Sequence, residues 1–240
     1  MRSKVFFLIT ILLQALFVFQ SCEKIDYETG NGEIAEHTIE TGDFKSVDVK
    51  GPFDVEIVQD SGMFVEIETD ENLINLVEVR QHGALLLIGV KDNQQIDPSQ
   101  LNITIHTGEI LKLQIEIDGD LHTKGSLVGH SINIENASQG NVSIGVRCER
   151  LKFENNGSGV IQMKGLVKNA DIANNSTSNI IAKGLFVKNM NLQNNAGANV
   201  EVNAFQNLSI ENKRNGTVKY TGNPIYIEEK STSNGEIIKF

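Results

Sequence analysis

"LKFENNGSGVIQMKG", Leu151 to Gly165, reads as two short strands joined by a polar turn. Leu151 and Phe153 alternate with Lys152 and Glu154, and beyond the turn Ile161 and Met163 alternate with Gln162 and Lys164. A two-residue rhythm of this kind marks strands that bury one face. Nearly the same text returns as "ADIANNSTSNIIAKG" from Ala170 and "MNLQNNAGANVEVNA" from Met190. The recurring Asn-Asn is either a binding motif presented several times or a corner of the backbone. Units begin at Leu113, Ile132, Leu151, Ala170, Met190, Leu208 and Ile225, with successive spacings of 19, 19, 19, 20, 18 and 17 residues. A period near 20 with alternation inside it describes a solenoid with one coil per repeat.

Alternation assigns the interior. In the first strand of each coil the inward pairs are Ile132/Ile134, Leu151/Phe153, Ala170/Ile172, Met190/Leu192, Leu208/Ile210 and Ile225/Ile227. After the turn they are Val142/Ile144, Ile161/Met163, Ile180/Ala182, Val200/Val202 and Val218/Tyr220. "GLVKNA", "GLFVKNM" and "AFQNL" supply a shorter third side, with Leu166, Phe186 or Val187, and Phe205 as its inward candidates. The fold expected is all-β: a right-handed, single-stranded parallel β-helix with coils of about 19 residues. Stacking is required because one coil cannot hide its own apolar pairs, while each buried Val, Ile or Leu contributes about 1.5–3 kcal/mol. Solenoid ends are unpaired edges that need covering, and the less regular strands from Phe44 to about Thr107 are expected to form the N-terminal cap and first coils. Spacings of 17 to 20 residues do not keep the six-residue beat of a hexapeptide left-handed helix, and the turns lack the Asp of a calcium-binding nonapeptide.

The N-terminus follows a different logic. Arg2 and Lys4 precede an uncharged apolar run from Val5 to Phe19, then Gln20-Ser21-Cys22. This is the layout of a secretory signal, too short for a membrane span, and the cysteine after a small residue resembles a bacterial lipobox. The expected organisation is a lipoprotein signal peptide at 1–21, a lipidated Cys22 opening a polar tether to residue 43, and a β-helical domain at 44–240. Several acyl chains at one N-terminus give stable anchoring. The expected location is the cell envelope, on the outer membrane, with the membrane as one partner through the lipid. Acylation of Cys22 leaves Cys148 as the one remaining thiol, so no intrachain disulfide is possible. A formal net charge of -10 offers no basic stripe for nucleic acid.

Two groups of residues are candidates for chemistry. In "EIDGDLHTKG", Asp118, Asp120 and His122 supply the titrating groups that acid-base cleavage of a polysaccharide needs. Any acidic solenoid shows such residues outward, and Asp beside Gly119 suits a turn on conformational grounds alone. The second group is a polar outward row, Lys152, Gln162, Lys164, Lys183, Gln193, Glu201 and Lys219, able to meet a glycan or an envelope protein. His37, His82, His106 and His130 show no paired spacing for a metal, and no cofactor motif is present. Asn155-Asn156 is read as a coil corner, because Asn enters the left-handed region more readily than other non-glycine residues, with stacked amides along the rod.

The order "VDVKGPFDVEIVQ", "VEIETDENLINLVEV", "LLLIGVK", repeats, then "VKYTGNPIYIEEKSTSNGEI" resembles the DUF2807 family, the "putative autotransporter adhesin, head GIN domain". Gly51-Pro52-Phe53-Asp54-Val55 and Tyr220-Thr221-Gly222-Asn223-Pro224 carry the resemblance most specifically, and several turns depart from the family's Gly-Ser-Gly toward Asn. The resemblance implies a β-helical, lipidated or secreted domain of Bacteroidetes and relatives, with no catalytic residues to carry over. The function expected is adhesion or binding through a side face. A polysaccharide-active enzyme and a structural component that self-associates through its coil edges are the alternatives.

Overall fold

The computed structural model describes residues 27–91, 94–232 and 234–240; the expected signal segment and Cys22 lie outside the described residues. Parallel strands stack into a single-stranded β-helix with three sides per coil. The first side runs through β7 (Leu85–Val90), β3 (Ser46–Gly51) and β10 (Lys112–Ile117). It continues in the second halves of β12 (Leu127–Asn136), β13 (Val142–Asn155), β14 (Ile161–Asn174), β15 (Ile180–Asn194) and β16 (Val200–Asn212), and ends at β18 (Tyr226–Ser231). The second side runs through β9 (Leu101–Thr107), β4 (Asp54–Gln59) and β11 (Leu121–Lys124), then the starts of β13 to β16, then β17 (Thr217–Thr221) and β19 (Glu236–Lys239). The start of β12 and the middle portions of β13 to β16 form the third side.

Paired residues of parallel strands point the same way, so each inward position becomes a column along the rod. Leu86, Val47, Leu113, Ile134, Phe153, Ile172, Leu192 and Ile210 form one such column, each in register with the next. All eight are buried. Leu113 pairs with Ile134 rather than Ile132, so the first repeat is longer than the sequence spacing implies; later coils keep the expected register from Leu151 onward.

The neighbouring inward column changes chemistry along the rod. Its N-terminal members are Ile88, Val49 and Ile115, and from there it becomes Asn136, Asn155, Asn174, Asn194 and Asn212. Every one of these asparagines is fully buried. Each amide donates to the next coil: Asn136 Nδ2 to Asn155 Oδ1 at 2.7 Å, Asn155 to Asn174 at 2.8 Å, and Asn194 to Asn212 at 3.0 Å. Asn155 Oδ1 also accepts from the Gly157 amide at 3.2 Å. Asn155 ends β13 as a paired strand residue, so it makes the corner with its side chain and not, as the sequence reading had it, by a left-handed backbone. Close approach is left to glycine: a Cβ on Gly159 would collide with the carbonyl oxygen of Gly140 in the coil below.

At the N-terminal end, spatial order departs from chain order. The coil β3–β4 lies directly against β10–β11, while β7 and β9, which come later in the chain, lie beyond it. Antiparallel β6 (Val77–His82) then closes the first side, and β5 (Phe64–Asp70) followed by β2 (Ile34–Glu40) closes the second. Residues 27–40, expected within a polar tether, thus join the fold: β2 covers β5, and β1 (Tyr27–Thr29) pairs with β8 (Gln95–Asp97). Buried Asp70 pins this end by accepting from Gly32 N at 2.6 Å, Ser99 N at 2.8 Å and Ser99 Oγ at 2.7 Å. These bonds, the Ser99 hydroxyl foremost, hold its carboxyl below the usual carboxylate range.

The C-terminal end is closed differently. Ile225 and Ile227, expected inside, are exposed because no coil covers them. In the inward columns Ile210 is followed by Glu229, and Tyr220 by Lys239. Charges set in inward positions are a recognised way to stop edge pairing. Among the described residues, strand pairing runs from Tyr27 in β1 to Lys239 in β19.

Candidate functional site

On the third side alternation decides which side chains face solvent. Ile161 and Met163 point inward, and the strand keeps that rhythm through Gly165, so Val167 is buried and Leu166 is not. Gly165 takes an inward slot with φ 128°, where the carbonyl of Val146 occupies the space a Cβ would need. The sequence reading took Leu166, Phe186 or Val187, and Phe205 as the inward candidates. Of these Val187 is inside, while Leu166, Phe186 and Phe205 are 48%, 53% and 43% exposed, and Val167 and Ala204 fill the other inward places. Carrying the alternation from Ile161 straight through Gly165 recovers Val167, and from Val200 it recovers Ala204; in β15 a bulge ahead of Gly184 shifts the rhythm by one, so that Leu185 and Val187 are buried.

The result is an outward column Val128, Arg147, Leu166 and Phe186, in register across successive coils. Lys168 and Lys188 stand beside it, each following an inward valine, and Phe205 lies at the end of the same shallow depression of about 390 Å³. Cys148 sits beneath, in β13 on an inward column. Burial pushes its thiol up to about 11, which leaves it protonated and inert near neutral pH.

A second concavity runs along the first side, about 400 Å³ in volume. One edge is a ladder of amides on the outer surface: Asn189 Nδ2 donates to Asn169 Oδ1 at 2.8 Å, and Asn207 Nδ2 to Asn189 Oδ1 at 2.7 Å. Tyr226 follows Asn207 in register and is 69% exposed. The parallel column holds Lys152, Asp171, Asn191, Ser209 and Glu228.

The structure divides the polar row expected from sequence between two sides. Lys152 and Gln193 lie on the first side, while Gln162, Lys164, Lys183, Glu201 and Lys219 lie on the second, where Lys183 Nζ and Glu201 Oε2 are 3.5 Å apart. Asp118 and Asp120 stand at the corner between β10 and β11. Asp118 accepts from Gln139 Nε2, Asp120 Oδ1 from Asn141 N at 2.7 Å, and the Asp120 amide donates to Asp54 Oδ1 at 2.7 Å. His122 Nε2 meets Glu56 Oε1 at 3.0 Å across the β11–β4 pairing. Each of the three is thus tied to a neighbouring coil. At the N-terminal end the fold assembles a group no sequence spacing announced: His106 lies between Asp60 (2.9 Å) and Glu66 (3.5 Å) and stacks on Phe64. Among the described residues, no group of three or more His, Cys, Asp or Glu is arranged to hold a metal ion, and no helix is long and apolar enough to cross a membrane.

A side-chain-lined β-helix with two shallow side faces is the class of molecule these observations define. The chain belongs to the family described as "putative auto-transporter adhesin, head GIN domain", which matches residues 43–224. Similar solved structures include a protein described as a putative adhesin from Bacteroides fragilis, with TM-score 0.83 and 20% identity over 88% of this chain and 99% of that one. Another putative adhesin, from Parabacteroides merdae, aligns with TM-score 0.67 and 18% identity over 90% of this chain and 99% of that one. A Parabacteroides distasonis protein described as a putative lipid-binding protein aligns with TM-score 0.64 and 19% identity over 90% of this chain and all of that one, 100%. At these identities the likeness concerns the fold. No curated protein matches the chain.

Proposed function

We propose that this protein is a lipid-anchored, non-enzymatic binder of the cell envelope that holds a glycan along its first side. The observation that carries this reading is the groove in which the Asn169–Asn189–Asn207 amides run beside Asp171, Asn191 and Ser209 and end at the exposed ring of Tyr226. Ladder bonding uses one donor and one acceptor of each inner amide, and the other donor and lone pair remain for sugar hydroxyls. An exposed tyrosine adds an apolar face with a polar tip. Coils repeat at about 4.8 Å, so the same polar groups recur along a polymer lying in the groove. Membership of an adhesin-described family supports a binding role over a catalytic one. The end-to-end alternative is weakened by Glu229 and Lys239, which set charge where a further coil would place its core.

Oligosaccharide arrays probed with residues 23–240, followed by calorimetry on the best ligand, test the groove. Tyr226→Ala and Asn191→Ala are expected to weaken binding at least tenfold; wild-type protein that retains no glycan, or variants that bind equally, would remove it. Anchoring is tested by Cys22→Ala, which should abolish acyl labelling and release the protein from the membrane fraction.

A further inference from the structure

We propose that the third side docks, independently of the N-terminal lipid and of the glycan groove, onto an anionic lipid surface. Four large apolar side chains, Val128, Leu166, Phe186 and Phe205, are each more than two-fifths exposed and occupy this one side. Exposed apolar groups gathered in one patch with a polar rim mark an interaction surface. The rim here sets three cations against one carboxylate, Glu149, which lies 3.6 Å from His130. Arg147 stands within the apolar column, and Lys168 and Lys188 flank it. Among the described residues none of these three cations has a carboxylate within ion-pair distance, whereas Lys45, Lys50, Lys112, Lys183, Lys213 and Lys230 each have one. In a chain of net charge -10, unpaired cations beside exposed apolar groups are a local inversion of the surface.

That pairing of chemistries selects the occupant. Apolar side chains enter the boundary between headgroups and acyl chains, while long basic side chains bury their stems and hold their charges at the phosphates. A second copy docked by the same face would bring Arg147, Lys168 and Lys188 against their own kind, and a neutral glycan would leave the cations unanswered. The stripe lies along a rigid rod in successive coils, so its residues meet a flat surface together without any rearrangement.

Vesicle co-sedimentation of residues 23–240, which keep every described strand and omit Cys22, tests this directly. Phosphatidylcholine vesicles containing phosphatidylglycerol are expected to carry down at least tenfold more protein than pure phosphatidylcholine at low salt, with the difference shrinking as salt is raised. Arg147→Gln/Lys168→Gln/Lys188→Gln and, separately, Leu166→Ser/Phe186→Ser should each abolish the excess. Lys168→Glu, which alters no packing, should reduce it severalfold and gives a readout if a multiple variant fails to fold. Equal recovery on both vesicles, or recovery unchanged in the folded variants, overturns the proposal. So does a concentration-dependent dimer in sedimentation velocity that Phe186→Ser abolishes, which would assign the stripe to a second copy.

Discussion

The inward column that begins at Ile88 is one structural feature made in two chemistries. Through Ile88, Val49 and Ile115 it is hydrocarbon, and from Asn136 to Asn212 it is a chain of buried amides. In the N-terminal coils the neighbours along that column come from distant parts of the chain, as Val49 does for Ile115. In the repeats each neighbour is one coil away. Apolar burial is indifferent to register, whereas an amide ladder is satisfied only when each Asn stands over the last. The regular region, whose similar turns offer alternative registers, is the region that carries the register-specific device. The N-terminal coils are fixed instead by antiparallel strands and by single long-range bonds such as those of Asp70.

The largest test of this contrast removes one buried ring from each region. Phe153→Ala and Phe53→Ala should each cost about 3–5 kcal/mol, both rings being fully buried. Coils couple mainly to their neighbours, so hydrogen exchange should show Phe153→Ala loosening β12 to β14 while β2, β5 and β9 stay protected, and Phe53→Ala doing the reverse. Uniform loss of protection in both variants would make the molecule one cooperative unit and dissolve the distinction.

A smaller effect compares the two halves of the column itself. Asn155→Val strands the buried amide of Asn136 and an acceptor on Asn174, at a cost of about 2–3 kcal/mol. Ile115→Val in the hydrocarbon half removes one methylene, at about 1 kcal/mol. Denaturant midpoints measured side by side check the ranking; equal shifts would deny the ladder its special role.

The smallest effect concerns the N-terminal end and depends on pH. Because the folded Asp70 carboxyl is held below its ordinary value, its contribution is fully present above the unfolded value, roughly pH 3.9, and is lost as pH falls through the folded one. The stability difference between wild type and Asp70→Asn should be constant near neutrality and shrink as the medium is acidified below about pH 4. A difference that does not change with pH would mean that the carboxylate's charge is not what holds Gly32 and Ser99.

Much of this molecule was legible in the order of its residues. Alternation around Leu151 and Ile161, and the spacing from Leu151 to Leu208, place the two main sides and the coils correctly, because local periodicity is all they require. The reversed stacking of β3–β4 and β7–β9 left no such trace: pairing between Val47 and Leu113 has no period to betray it. On the third side the reading put size over rhythm at Leu166 and Phe205, and left Phe186 or Val187 open because the bulge in β15 has no trace in the alternation. Leu166, Phe186 and Phe205 look like core residues by type, yet the short side has inward room for Val167, Val187 and Ala204 and sends the larger groups to solvent. Asp118, Asp120 and His122 were visible as chemistry in the sequence, but only the fold reveals that each is spent on tying one coil to another.

The apolar columns could in principle extend without limit, since every coil hands the next the surface that it received. Glu229 above Ile210 and Lys239 above Tyr220 write a full stop into that register. The apolar register is thus interrupted by charges of the chain's own last strands. A coil spliced in ahead of Val200 would lengthen the molecule by one strand spacing, about 4.8 Å, and leave both of its ends as they are.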